Sequence, residues 1–177
     1  MAWLYEKLRG WHDSRMNLFD HLSGAIFSPC MLYRYKLWRM WDESKPPLLF
    51  VMLNPSTADD VDNDATVERC QRRALSMGYG GLMVGNIFAY RSTDPGKLYE
   101  MDDPVGPDND AAILEMASRA GDIVCGWGTD GALHNRGETV IAMIRDAGYR
   151  PKYLVLNQDG SPRHPLYVSY DTLPQEF

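Results

Sequence analysis

The chain has 177 residues, 45% of them hydrophobic, and a net charge of -6 at pH 7. That suffices for a single domain, 1–177, with a sizeable core, and the acidic balance excludes strong non-specific attraction to DNA or RNA by bulk charge. No run has the layout of a transmembrane span or secretory leader, and Cys30, Cys70 and Cys125 are too few and too scattered for a disulfide framework or zinc ribbon, so a cytoplasmic protein is expected.

Residues 1–30 read as a peripheral lead, with a short amphipathic helix around Leu4, Leu8 and Trp11. The α/β core is expected over 31–170. Met31–Trp41 alternates in part, Tyr33 and Tyr35 against Arg34 and Lys36, which predicts an antiparallel edge strand with one wet face. Asp42–Pro47 is a polar turn. Leu48–Leu53 is an unbroken apolar run, the pattern of a strand buried on both faces.

Asn54-Pro55-Ser56-Thr57 stops that strand, since Pro55 has no N–H for a ladder. A dense polar run follows: Asp59, Asp60, Asp62, Asn63, Asp64, Thr66, Glu68, Arg69. A helix is expected from Asp64-Ala65-Thr66, with Val67, Cys70, Ala74 and Leu75 on its packed side and Gly78, Gly80 and Gly81 ending it. Gly81–Tyr90 holds the second buried strand, with Asn86 near its end and Phe88 and Tyr90 beyond.

Arg91–Pro107 reads as a loop from which Leu98 tucks back onto the core. Asn109–Arg119 is expected to be a helix capped by Asp108 or Asn109, and Asp122–Trp127 the third strand. Asn135–Ala147 is an amphipathic helix with Val140, Ile141, Ile144 and Ala147 on its apolar face. Lys152–Leu156 is the fourth strand and runs into Gly160-Ser161-Pro162-Arg163-His164-Pro165. Strand and helix alternate throughout. The fold class is therefore α/β in three layers, a mainly parallel four-stranded central sheet with flanking helices and an extra antiparallel edge strand.

Each of the four apolar strands empties into a polar or glycine-rich segment, and parallel strands bring all four to one rim, where ligands of α/β sheets bind. His164 is clamped there between Arg163 and Pro165. Asn86 ends an apolar strand, where a buried amide is costly without partners. Gly126 and Gly128 are expected to form a tight turn around a core residue, Trp127. The acidic run has Asp-x-Asp spacing but lacks the glycine and closing glutamate of a calcium loop, and no phosphate-loop or dinucleotide motif occurs. Neither a metal nor a cofactor is expected.

The set LNPSTAD with DNDATVER, GNIFAYRST, GWG and GSPRHPLY resembles the bacterial and phage family called domain of unknown function sixteen-forty-three, over about Tyr33 to Tyr167. More remotely, the order of motifs is similar to the uracil-DNA glycosylase superfamily. That resemblance sets Asn54-Pro55 at the water-positioning motif, Asn86 at the base-reading asparagine, Trp127-Gly128 at a Trp-Gly strand end and His164-Pro165 at the His-Pro loop. Asn54 stands where the uracil-specific branch has a carboxylate, as in the mismatch-type branch.

The resemblance implies an N-glycosidase, a hydrolase acting on a nucleobase. Asn54, Asp64 and His164 would be catalytic, and Ser56, Thr57, Arg69, Asn86, Phe88, Tyr90, Arg136 and Arg163 would bind substrate. In these roles His164 stabilises the departing base anion, Asn54 or Asp64 handles water, Phe88 or Tyr90 stacks on the base, and the arginines hold phosphate. The loop reads His-Pro-Leu-Tyr where the superfamily has His-Pro-Ser-Pro. With the negative charge, this favours a nucleotide, or a single-stranded or modified nucleic acid, over intact duplex. A non-catalytic nucleotide or nucleic-acid binding module on the same scaffold is the alternative, and recruitment of the rim to another hydrolysis or transfer is a third reading. Oligomeric state stays open.

Overall fold

A computed structural model describes residues 22–56, 58 and 62–177. The helix expected around Leu4, Leu8 and Trp11 lies outside these residues. The strands are β1 Ser23–Phe27, β2 Arg34–Met40, β3 Pro47–Met52, β4 Gly81–Asn86, β5 Asp122–Gly126, β6 Pro151–Tyr153 and β7 Gln175–Glu176. They form one sheet in the order β1-β2-β4-β3-β5-β6-β7. The four central strands β4, β3, β5 and β6 are parallel, and β1, β2 and β7 add antiparallel pairs on the two flanks.

The buried apolar run explains the centre. Leu48, Leu49, Phe50 and Val51 are all 0% exposed, because helices cover both faces of β3. Leu48, Phe50 and Met52 cluster with Val67, Cys70 and Ala74 of helix α1, Ala65–Ser76. Leu49 and Val51 cluster with Ile113 and Met116 of α2, Asn109–Ala117, and with Val140, Ile141 and Ile144 of α3, Arg136–Asp146. Successive side chains of a strand point to opposite faces, so three layers result. Asp64 caps α1 by accepting the Val67 N–H at 2.9 Å, and Gly78, at φ 82°, follows its end. Trp127 is buried, as expected, and Leu98 does tuck into the core. Among the described residues no helix is long and apolar enough to cross a membrane.

Three expectations are corrected. The sheet has seven strands rather than four plus one, and β2 is not the edge: β1, drawn from the lead, lies outside it. Nor does β2 have a wet face. All seven of its residues are buried, because distant groups take up the polar heads. Lys36 is paired with Glu115, while Arg34 and Arg39 reach the segment between β3 and α1. Finally, β6 is Pro151–Tyr153, not Lys152–Leu156. Lys152 and Tyr153 pair with Glu176 and Gln175, and the next position on that side is Pro174, which has no N–H to donate. Leu156 bridges Pro162 instead, in the turn that leads to His164.

The connections from β3 and from β5 leave towards opposite sides, so the topology switches between these two neighbours. A crevice opens at the carboxyl ends of parallel strands at such a point. Because β2 runs antiparallel to β4, its first residue, Arg34, arrives at the same rim as Asn86, the last residue of β4.

Candidate functional site

A cleft of about 130 Å³ lies at this rim. Met52, Asn54 and Ser56 enter it from the end of β3, and Asp64, Thr66 and Val67 from the start of α1. Asn86 comes from β4, with Ser92, Thr93 and Pro95 from the loop beyond. His164 and Arg34 complete the lining. The volume is well below the roughly 300–1,000 Å³ typical of pockets for drug-sized ligands, so the cleft suits a single ring rather than a large molecule. A larger, open groove of about 780 Å³ runs along α3, between Leu114 and residues such as Glu138 and Met143, and holds none of the expected site residues.

Asn86 is 2% exposed, and its Oδ1 accepts from Arg34 Nη2 at 3.3 Å. Its Nδ2 meets no acceptor among the described residues. Asn54 Nδ2 donates to the carbonyls of Ser92 at 2.8 Å and Pro55 at 3.2 Å. Asp64 accepts from the Ser56 hydroxyl at 2.7 Å with the oxygen that does not cap α1. His164 Nδ1 accepts the Leu166 N–H at 3.4 Å, which leaves the proton of a neutral ring on Nε2. Burial pushes the His164 pKa below its usual 6.5, and nearby Asp64 offsets this only in part. The ring is therefore neutral at pH 7. No group of three His, Cys, Asp or Glu side chains suited to a metal occurs among the described residues.

Asn54, Ser56, Asp64, Asn86 and His164 thus share one cleft. Thr57 lies outside the described residues. The other expected residues stand elsewhere. Phe88 is 0% exposed in the core cluster with Ile87 and Ile113, and Tyr90 packs edge-on against Tyr33 at 6.4 Å. Arg136 donates to the Ile87 carbonyl at 2.8 Å and pairs with Asp110. Arg163 binds Asn157 Oδ1 at 3.0 Å on the surface. Arg69 donates to the carbonyls of Pro165 at 3.1 Å and Val168 at 2.6 Å, with its guanidinium 4.3 Å above the Tyr170 ring. Arg69 and Arg136 thus hold backbone carbonyls, and Arg163 a side-chain amide, rather than an open anion site.

Of the lining residues that sequence reasoning missed, Met52, Thr66, Val67, Ser92, Thr93, Pro95 and Arg34, the charged one is Arg34. It is 3% exposed and also donates to the Ala58 carbonyl at 2.7 Å. Its polar alternation with Tyr33 and Tyr35 looks like solvent exposure, and the only signal against that was the number of cations in so short an apolar strand.

No curated protein and no solved structure matches the chain. Residues 34–166, well over half of the sequence, match the family model described as "Protein of unknown function (DUF1643)". The matched stretch runs from Arg34 through every described residue of the cleft to two positions past His164. The chain belongs to this family of proteins of unknown function, DUF1643.

Proposed function

We propose that the cleft holds a nucleobase of a nucleotide or nucleic acid and that the protein cleaves the N-glycosidic bond behind it. One observation carries the reading: Asn86, buried to 2% exposure, has an amide nitrogen with no acceptor among the described residues, beside Asn54, Asp64 and His164. That nitrogen opens onto the cleft rather than being sealed in the core, so a ligand acceptor can reach it and pair with it. The remote likeness to the uracil-DNA glycosylase superfamily agrees with this, as does the parallel four-stranded centre of the sheet.

In the reaction the C1′–N bond breaks and its electron pair leaves with the base. Neutral His164 donates from Nε2 to the base anion as charge develops, which a positioned donor stabilises. Asn86 pairs with the base edge. Asp64 or the Asn54 amide oxygen orients the water that adds to the sugar, and the carboxylate takes its proton. The small cleft and the acidic chain favour a nucleotide, or a single-stranded or modified polymer, over intact duplex, whose base must first be unstacked at a few kcal/mol. Three free thiols suit a reducing compartment, in keeping with a cytoplasmic enzyme.

A binding module on the same cleft is the second reading. It is favoured by Asp64, whose two oxygens each already accept a bond, from the Ser56 hydroxyl and the Val67 N–H, so neither stands free for a water. The test is to incubate wild type and His164→Ala with nucleotides, single strands and mismatched duplexes and to measure free base. The expected result is release by wild type and a loss of about a hundredfold or more in the variant. Binding without release from any substrate would leave the module. Neither binding nor release would discard both.

A further inference from the structure

The two asparagines of the cleft are each anchored by a partner of a single hydrogen-bonding polarity. A guanidinium has only donors, so the Asn86 atom facing Arg34 Nη2 at 3.3 Å is the oxygen, and the NH2 is left over. A backbone carbonyl only accepts, so the Asn54 atom facing the Ser92 and Pro55 carbonyls is the nitrogen, and the oxygen is left over. The cleft therefore offers one fixed donor and one fixed acceptor.

We infer that Arg34 is a positioning residue that sets the ligand polarity of the site. It locks the Asn86 amide with its NH2 towards the cleft, so the group recognised there is an acceptor edge, an oxo group or unprotonated ring nitrogen, and not an amino group. This rests on the base-binding reading for the identity of the ligand, and on geometry alone for the lock. Arg34 is itself immobilised, 3% exposed and bonded to the Ala58 carbonyl at 2.7 Å. The Asn86 main chain is fixed as well, its carbonyl accepting from Asn109 Nδ2 at 2.8 Å. With both ends held, turning the amide over would set NH2 against guanidinium, donor against donor. An amino-edged ligand meets the same conflict at Asn86 and leaves buried donors unpaired, the circumstance in which polar sites discriminate most strongly.

The experiment compares wild type, Arg34→Met and Asn86→Asp. Its first readout needs no ligand: the 15N order parameter of the Asn86 side-chain amide, expected to be high in wild type and to fall below about 0.6 in Arg34→Met. The second is the affinity for oxo and amino partners, uridine against cytidine monophosphate and inosine against adenosine monophosphate. Wild type is expected to prefer each oxo partner by about tenfold or more, and Arg34→Met to lose the preference. Asn86→Asp keeps a partner for the Arg34 guanidinium and presents an oxygen, so its preference should reverse. It also serves if Arg34→Met fails to fold.

An amide that stays rigid in Arg34→Met overturns the lock. A freed amide with unchanged preference, or an Asn86→Asp variant that still favours oxo partners, overturns the selection. If wild type binds none of the four nucleotides, base binding fails, and the order parameter alone still decides whether Arg34 holds the amide.

Discussion

Arg69 Nε donates to the carbonyl of Pro165 at 3.1 Å, which ties the helix capped by Asp64 to the residue beside His164. One turn further on, Arg73 is fully buried, and its guanidinium donates to the carbonyls of Val168, Ser169, Tyr170 and Thr172. Two arginines of α1 thus fold the chain after His164 back along the helix, and two groups assigned to the chemistry become parts of one rigid unit.

Arg73→Met should therefore destabilise the protein by about 3 kcal/mol or more. Charge-assisted hydrogen bonds contribute about 1.5–3 kcal/mol, and losing them leaves several carbonyls without their partner. Urea titration monitored by tryptophan fluorescence checks it. A midpoint equal to that of wild type would show that the segment after His164 is held by something other than Arg73.

Asp64 combines two tasks that substitution separates. Asn caps helices as well as Asp, and its amide can still meet both Val67 and Ser56, so Asp64→Asn should leave the melting temperature near that of wild type. Asp64→Ala should cost about 1 kcal/mol of stability. If the carboxylate takes a proton from water, base release should fall by about a hundredfold or more in both variants. Full activity in Asp64→Asn would show that the carboxylate is not the base, with the Asn54 amide oxygen orienting the water and its proton passing to solvent.

The neutral His164 makes stability depend on pH. Burial lowers its pKa in the folded state below the usual 6.5, so the unfolded chain binds the proton more readily. The resulting stability is fully present above about pH 6.5 and is lost as pH falls through the folded pKa. Comparing wild type with His164→Gln removes the contribution of the other titrating groups. The stability difference between them should move against wild type between pH 7.5 and pH 5, measured by urea midpoints at each pH. A constant difference would place the histidine in water.

Gly126 ends β5 against the His-Pro loop: a Cβ there would lie 2.8 Å from Pro165 Cδ and 3.4 Å from the Arg163 carbonyl. The proline ring cannot yield as a flexible side chain would. Gly126→Ala should therefore cost about 1–3 kcal/mol, and its amide shift changes should concentrate at 163–166, next to the cleft. Shifts spread evenly over β5 alone would mean that the strand, not the loop, absorbs the methyl group.

The parts of this fold that were legible in the sequence are those in which a residue's neighbours decide its state. Leu48–Leu53 is apolar without interruption, and the helix beginning at Asp64 announces its cap and, at Val67, Cys70 and Ala74, its packed face. Leu75, expected there too, is 50% exposed, and fully buried Arg73 takes part instead. Asn86, Asn54 and His164 stood out because each interrupts such a pattern beside glycine or proline. The illegible parts depend on partners far along the chain. Arg34 and Arg39 look solvated until Ala58 and Asn63 receive them, and Lys36 until Glu115 does. A guanidinium fork suits a backbone carbonyl as well as a phosphate, so nothing local distinguishes Arg69 or Arg136 as a clamp from a ligand contact. Phe88 was misplaced for a similar reason: its N–H bonds the Leu53 carbonyl, and the backbone so fixed leaves the ring in the core. β1 and β7 have too little pattern of their own to predict, and β7 has only two residues.

The walls of the cleft meet across a long span of chain, 52 residues from Arg34 to Asn86, and the tie behind them from Arg69 to Pro165 spans 96. Contacts of such separation close late in folding and open together when the sheet unfolds, so the cleft exists only in the intact molecule. Occupancy is then linked to global unfolding by mass action. A compound present at a hundred times its Kd raises the unfolding free energy by about 2.7 kcal/mol, an amount plainly visible as a shift in melting temperature. A library of nucleotides and modified bases screened by melting point would therefore rank ligands for this cleft before any reaction is known.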